Sequence, residues 1–232
     1  MAMNKRMFLL MVVSTLGVGT ILSSCNKVEP EDEKEVEVEW VDLGLPSGVL
    51  WANINIGATA PEDYGQVFGW GETETKVEYS WANYAHGKDF YGLTKYCSDT
   101  NYGLDGFTDN DVNLREEDDA AVANWKNGSR IPTKEDCQEL KKNCDDQWTT
   151  RNGVTGRLFT AKNGNSIFLP AGGYRWGTEL DCTRRNGAYW TRSLNANEPG
   201  SAWYFGFTEE KSYIYYAHRS YGRYVRPVKY TK

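Results

Sequence analysis

The sequence predicts an α+β domain: two helices packed on short, mainly antiparallel strands joined by long irregular loops. Three observations lead there. Strand-like segments occupy both ends of the chain, while helical periodicity is confined to residues 116–144. Asn-Gly pairs recur at 127–128, 152–153, 163–164 and 186–187; glycine reaches positive φ without steric cost, so tight turns between strands are favoured. The chain also carries 9 Trp, 15 Tyr and 8 Phe. Bulky rings bury much area each and fill a core from few elements.

The first 25 residues have the layout of a lipoprotein export signal. Lys5 and Arg6 supply a positive start, Met7 to Leu22 is mostly apolar, and Leu22-Ser23-Ser24-Cys25 has the aliphatic–small–small–cysteine order of a lipobox. Residues 1–24 are therefore expected to be removed and Cys25 to carry a lipid. An uncleaved anchor needs roughly 20 strongly apolar residues, whereas this stretch is shorter and holds Ser14, Thr15, Gly17, Gly19 and Thr20. Residues 25–39 read as a lipidated cysteine followed by an acidic, solvated tether. The expected location is the outer membrane, with the domain at the cell surface; the periplasmic face is the alternative.

Residues 40–232 form the domain proper. Val36 to Leu43 and Val49 to Ile56 read as strands around the turn Leu45-Pro46-Ser47-Gly48, and Gly65 to Gly71 reads as a short buried strand. Residues 72–114 are polar and aperiodic, a length that is unusual in a compact domain unless the loop is packed or functional. Glu116 to Asp119 place negative charge at the start of a helix running to about Trp125. Thr133 is expected to cap a second helix, with Asp136 completing a capping box and Cys137, Leu140 and Cys144 forming the buried stripe. A hairpin is expected across Asn163-Gly164, joining 158–160 to 166–169. Further strands are expected at 171–176, 188–193, 202–207, 212–217 and 223–229.

Charge and cysteine content narrow the function. The formal net charge is −6, becoming −8 without Lys5 and Arg6. The tether holds −5 of this, which leaves a weakly acidic domain and argues against nucleic acid as a partner. Cys97, Cys137, Cys144 and Cys182 allow three complete pairings. On one intact helix, Cys137 and Cys144 would be about 10.5 Å apart along the axis, beyond the roughly 7 Å that a disulfide spans. Buried free thiols are expected at those two positions.

The run Val41-Asp42-Leu43-Gly44-Leu45-Pro46-Ser47-Gly48-Val49-Leu50-Trp51-Ala52 resembles the opening of the Fibrobacter succinogenes-type major paralogous domain of Bacteroides-like bacteria. Arg130-Ile131-Pro132-Thr133, Gly164 to Ala171, Tyr189-Trp190-Thr191 and Val225-Arg226-Pro227-Val228 continue the likeness over about residues 40–229. The resemblance implies a C-type-lectin-like fold, similar also to the formylglycine-generating enzymes, and implies no activity. The cysteine pair of those enzymes is missing, since Cys182 stands alone in the C-terminal half. The histidine cluster of the iron-dependent relatives is missing too, because the chain has only His86 and His218. No catalytic residue, cofactor or metal is expected. Glu198-Pro199-Gly200 lacks the third calcium ligand of C-type lectins, and Asp109, Asp111 and Asn113 lack the turn glycine of an EF-hand, so that segment reads as a polar loop. Arg130 reads as a structural partner for a carboxylate.

The expected function is a non-catalytic binding module for glycan or a surface protein, with a structural part in an envelope complex as the alternative. The membrane is the second partner, through lipid on Cys25. The candidate ligand residues are Trp176, Arg184, Arg185, Tyr213, Tyr215, Arg219, Tyr221 and Tyr224, accompanied by Tyr216 and His218. Rings and guanidinium groups give large contact area at modest entropic cost.

Overall fold

The computed structural model describes residues 38–126 and 128–230, all within one compact unit, Val36–Lys232. The expected export signal, Cys25 and nearly all of the expected tether lie outside the described residues. In chain order the first half contains β1 (Trp40–Asp42), β2 (Val49–Ala52), β3 (Val67–Phe68), α1 (Ala120–Trp125) and α2 (Lys134–Asn143). There follow β4 (Cys144–Arg151), β5 (Val154–Ala161), β6 (Ser166–Pro170), β7 (Tyr174–Trp176) and β8 (Glu179–Asp181). The last strands are β9 (Gly187–Leu194), β10 (Ser201–Phe207), β11 (Ser212–His218), β12 (Arg223–Tyr224) and β13 (Val228–Tyr230). The domain is thus mixed α+β, with mostly antiparallel strands in several sheets.

The central sheet has the order β11-β10-β9-β12-β3 and is antiparallel except where β12 meets β9. Side chains alternate across it. Tyr189, Phe205, Phe207 and Tyr224 enter a core shared with Leu140 of α2 and with Phe159, Ile167 and Leu169 of the β4-β5-β6 sheet. Trp190 and Ala202 enter a second core with Trp70, Tyr96, Leu114, Ile131 and Val225. A separate sheet, β1-β2-β13, joins the two ends of the domain.

Local chemistry explains the helix starts. The Thr133 hydroxyl accepts from Asp136 N at 3.0 Å while the Asp136 carboxylate accepts from Thr133 N at 2.8 Å, the expected capping box. The acidic cluster behaves differently from expectation. Glu116–Asp118 forms a separate 3-10 turn, and Asp119, fully buried, caps α1 by accepting from Ala121 N at 2.9 Å. The same carboxylate accepts from Ile131 N at 3.0 Å, tying α1 to the segment before α2. Arg130 pairs with Asp136 at 3.2 Å and lies over the Tyr230 ring, a structural role.

Two strands depart from the sequence expectation. β4 runs directly out of α2, so Cys144 opens a strand rather than closing the helical stripe; it remains buried in the same core as Cys137. β8 is short and exposed. Asn152 and Gly153, both at positive φ, make the tight turn between β4 and β5. All four cysteines of the described residues are free. No helix among the described residues is long and apolar enough to cross a membrane.

The long segment 72–114 is packed rather than loose. Arg219 is fully buried and reaches into it. Its Nε donates to the Tyr84 hydroxyl at 2.8 Å, Nη1 to the carbonyls of Tyr96 and Pro199 at 3.0 and 3.1 Å, and Nη2 to Lys95 O at 3.0 Å. Arg226 does the same between β2 and β6, donating to Asn55 Oδ1, Ala52 O and Phe168 O. Both guanidinium groups are satisfied by backbone and neutral side-chain oxygens, with no carboxylate paired to them among the described residues.

Candidate functional site

The antiparallel register sets Tyr204 opposite Tyr215, Trp203 opposite Tyr216 and Gly206 opposite Tyr213. Phe205, Phe207 and Ile214 take the core side, so Tyr204, Tyr213 and Tyr215 share the other face. Gly206 makes room there: a Cβ at that position would sit 2.5 Å from the Tyr213 ring. Tyr204 and Tyr213 meet edge to face at 6.1 Å.

A second run of rings is linked to these through Arg223, whose guanidinium lies over both Tyr204 and Tyr174, and the two form an aromatic band. Tyr174 of β7 stacks on Tyr221 at 6.1 Å, Tyr221 lies 5.3 Å from His218, and His218 lies 4.9 Å from Phe90 in the long loop. Phe90 continues to Tyr91 at 5.1 Å and to Tyr102 at 5.7 Å. Edge-to-face and offset pairs of this kind add stability beyond burial and hold the rings in fixed orientations. Rings at both ends are open to solvent: Tyr91 of the band is 63 % exposed, and Tyr215, flanking it on the edge strand, is 54 % exposed. Tyr215 also stacks on Tyr216, with centroids 4.7 Å apart.

Within the band lies Arg223 of β12. Its guanidinium carbon is 3.8 Å from the centroid of Tyr204, 5.0 Å from Trp190 and 5.1 Å from Tyr174. The residue is 4 % exposed, and its Nε is buried without a hydrogen-bond partner. Burial pulls its pKa down, while the surrounding Tyr204, Tyr174, Tyr213 and Tyr221 push it back up. Burial likewise raises Tyr174 to about 12, helped by its hydrogen bond to Asp181.

The candidate residues from sequence separate into three groups. Tyr213, Tyr221 and His218 join the band, and Tyr215 and Tyr216 flank it on the edge strand. Trp176, 63 % exposed, stands on the β7-β8 arm, and Arg184 and Arg185 are exposed in the turn after β8. Trp176 has no ring partner among the described residues. Arg219 and Tyr224 are buried. Arg219 is consumed by the four hydrogen bonds given above. Tyr224 packs against Tyr189 and Gly172, where a Cβ would lie 2.4 Å from its ring. Phe90, Tyr91, Tyr102, Tyr174, Tyr204 and Arg223 were not singled out by sequence. The dense Phe90-Tyr91 pair in an otherwise polar loop was the available signal.

A second polar cluster surrounds a cleft of about 370 Å³ lined by Glu72, Lys76, Asn83, His86, Glu117 and Asp118. His86 Nε2 donates to Gly71 O at 2.6 Å and lies 3.7 Å from Asp118, whose carboxylate is held by Lys95 and the Tyr96 hydroxyl. Burial lowers the His86 pKa, so the ring is neutral near pH 7. With Nε2 engaged by a carbonyl and no hydroxyl or thiol hydrogen-bonded to the ring among the described residues, the cluster lacks a nucleophile–base pair. In the polar loop, Asp109 spends its carboxylate on Tyr96 N, Cys97 N and Asp111 N, and Asp111 pairs with Arg115.

Comparison with protein-family models, with curated proteins and with solved structures finds no match in any of the three.

Proposed function

We propose that this chain is a non-catalytic binding module of the bacterial cell envelope, held to the outer membrane by lipid on Cys25 and binding glycan through the aromatic band. The observation that carries the reading is the band itself: rings locked edge to face across a sheet and a packed loop, with Tyr91 and Tyr215 open to solvent. Flat, pre-oriented rings stack on the C–H faces of sugars with little ordering cost. The commitment of His86 and Asp118 to structural hydrogen bonds favours binding over turnover.

The finer fold reading, a C-type-lectin-like major paralogous domain, rests on the sequence blocks quoted above. Supporting it, those blocks fall at structural joints. Leu45 to Gly48 turns between β1 and β2, Arg130 to Thr133 starts α2, and Val225 to Val228 carries Arg226 into the core between β2 and β6.

The test is a glycan-array screen of the purified protein, with calcium and with chelator, followed by Tyr91→Ala and Tyr215→Ala. Saturable binding that survives chelation and falls at least tenfold in these variants, at unchanged melting temperature, is the expected result. A blank array from folded protein would refute it. One observation favours a second reading, in which the domain docks a protein: β11 is an edge strand of the central sheet, a template for strand addition. Stable co-purification with a protein partner, lost on Ala217→Pro in β11, would support that reading.

A further inference from the structure

Arg223 is the one arginine of the C-terminal trio 219, 223 and 226 whose charge the fold leaves unanswered. Arg219 and Arg226 each make hydrogen bonds from all three of their nitrogens. Arg223 is buried too, yet its side chain makes no hydrogen bond and no ion pair with any described residue, and its Nε is buried and unpaired. What surrounds it is a cage of ring faces and tyrosine hydroxyls. Ring faces attract a cation but do not satisfy N–H donors. A buried charge is ordinarily paired, and an unpaired donor in a native fold calls for an explanation.

We propose that Arg223 recognises a carboxylate, and that the glycan taken by the aromatic band carries uronic acid units. The inference rests on the glycan reading of that band and names its ligand class. Guanidinium and carboxylate are both planar and pair edge to edge, which suits a guanidinium flanked by the rings of Tyr174 and Tyr204 better than a tetrahedral sulfate or phosphate would. The neighbouring Tyr213 and Tyr221 are half-buried. Their hydroxyls supply donors for the remaining carboxylate lone pairs. The pyranose rings on either side of the acid then lie along the band toward His218 and Phe90. Long-range attraction plays little part, because the chain is acidic overall; the recognition is local and depends only weakly on salt.

The experiment is titration calorimetry of the whole protein with a trigalacturonate, with the same oligosaccharide after carboxyl reduction, with a sulfated neutral trisaccharide and with polyglutamate. At least tenfold preference for the uronate over its reduced form is expected, abolished in Arg223→Gln and only partly kept in Arg223→Lys. Equal affinity for the acid and reduced forms, or a preference that survives Arg223→Gln, overturns the assignment of Arg223 while leaving the glycan reading intact. Binding to none of the sugars removes the glycan reading beneath it. Sulfated sugar or polyglutamate matching the uronate overturns the ligand class. If Arg223→Gln does not fold, the wild-type comparison of acid and reduced sugar decides.

Discussion

Replacing Arg219 by Met tests the claim that one buried guanidinium organises the long loop. The substitution keeps an unbranched apolar stem and removes every donor. The carbonyls of Lys95, Tyr96 and Pro199 lose their partners, whereas the Tyr84 hydroxyl keeps its bond to Trp70 O at 2.7 Å. Each stranded buried acceptor costs about 1–3 kcal/mol. The lost cation–π contacts with Trp70, Tyr84 and Tyr96 add about 0.5–1 kcal/mol each. Against this, the variant no longer desolvates a charge, which returns several kcal/mol. The net expectation is a loss of about 3 kcal/mol. For a domain of this size that corresponds to a Tm lower by about 6–12 °C. Urea and thermal unfolding give the stability, and amide hydrogen exchange across 84–97 locates the change. Arg219→Lys recovers only part, since a point charge cannot serve three diverging acceptors. A loss below about 1 kcal/mol, with exchange in 93–97 unchanged, would show that the loop is held by its own packing and that the reasoning is wrong.

Three further outcomes are expected. Asp119→Ala removes the cap of α1 and strands the buried Ile131 N–H, lowering stability by about 2–3 kcal/mol in urea denaturation. Gly187→Ala drives a methyl group to 1.9 Å from the Phe207 ring; it is expected to cost about 2 kcal/mol or more, read as a fall in Tm. His86 is harder to protonate folded than unfolded, because burial lowers its pKa below the ordinary 6.5. The unfolded chain therefore binds more protons just below pH 6.5, and stability falls as pH drops through that range toward the folded-state pKa. His218 shifts in the same direction, so His86→Asn is expected to flatten the urea midpoint between about pH 7.5 and about pH 5.5 in part. An unchanged slope would show that the ring is not buried in solution.

Sequence disclosed the elements whose signals are local. Thr133 and Asp136 are three residues apart and cap one helix, and the Asn-Gly pairs at 152–153 and 163–164 mark turns, whereas Gly187 opens β9 and the turn there falls at 183–185. β4 was obscured because Cys144 follows Asn143 with no glycine or proline between helix and strand, and because Asp145, Asp146 and Gln147 read as polar. The site was less legible for a physical reason. Arg219, Arg223 and Arg226 look alike in sequence, yet two are fastened to carbonyls supplied by distant segments and one is enclosed by rings from three strands. Nothing in spacing distinguishes a guanidinium that meets solvent from one that meets a carbonyl more than a hundred residues away. Tyr213 and Tyr215 could be placed on one strand face from alternation, but which residues lay beneath them depended on Gly206 and on β12.

The fastening of Arg226 to Asn55 joins residues 171 positions apart, and β13 joins β2 across a similar span. Synthesis delivers these partners in the least convenient order. β1, β2 and β3 leave the ribosome well before their partners, with Trp51, Phe68 and Trp70 uncovered, and wait for a segment made about 170 residues later. Closure of the domain therefore waits for residues 223–230, and its rate is governed by a long-range search rather than by local hairpins. A chain released after residue 218 would keep its hairpins and lack the joints between them, leaving those rings displayed for chaperones and proteases to find.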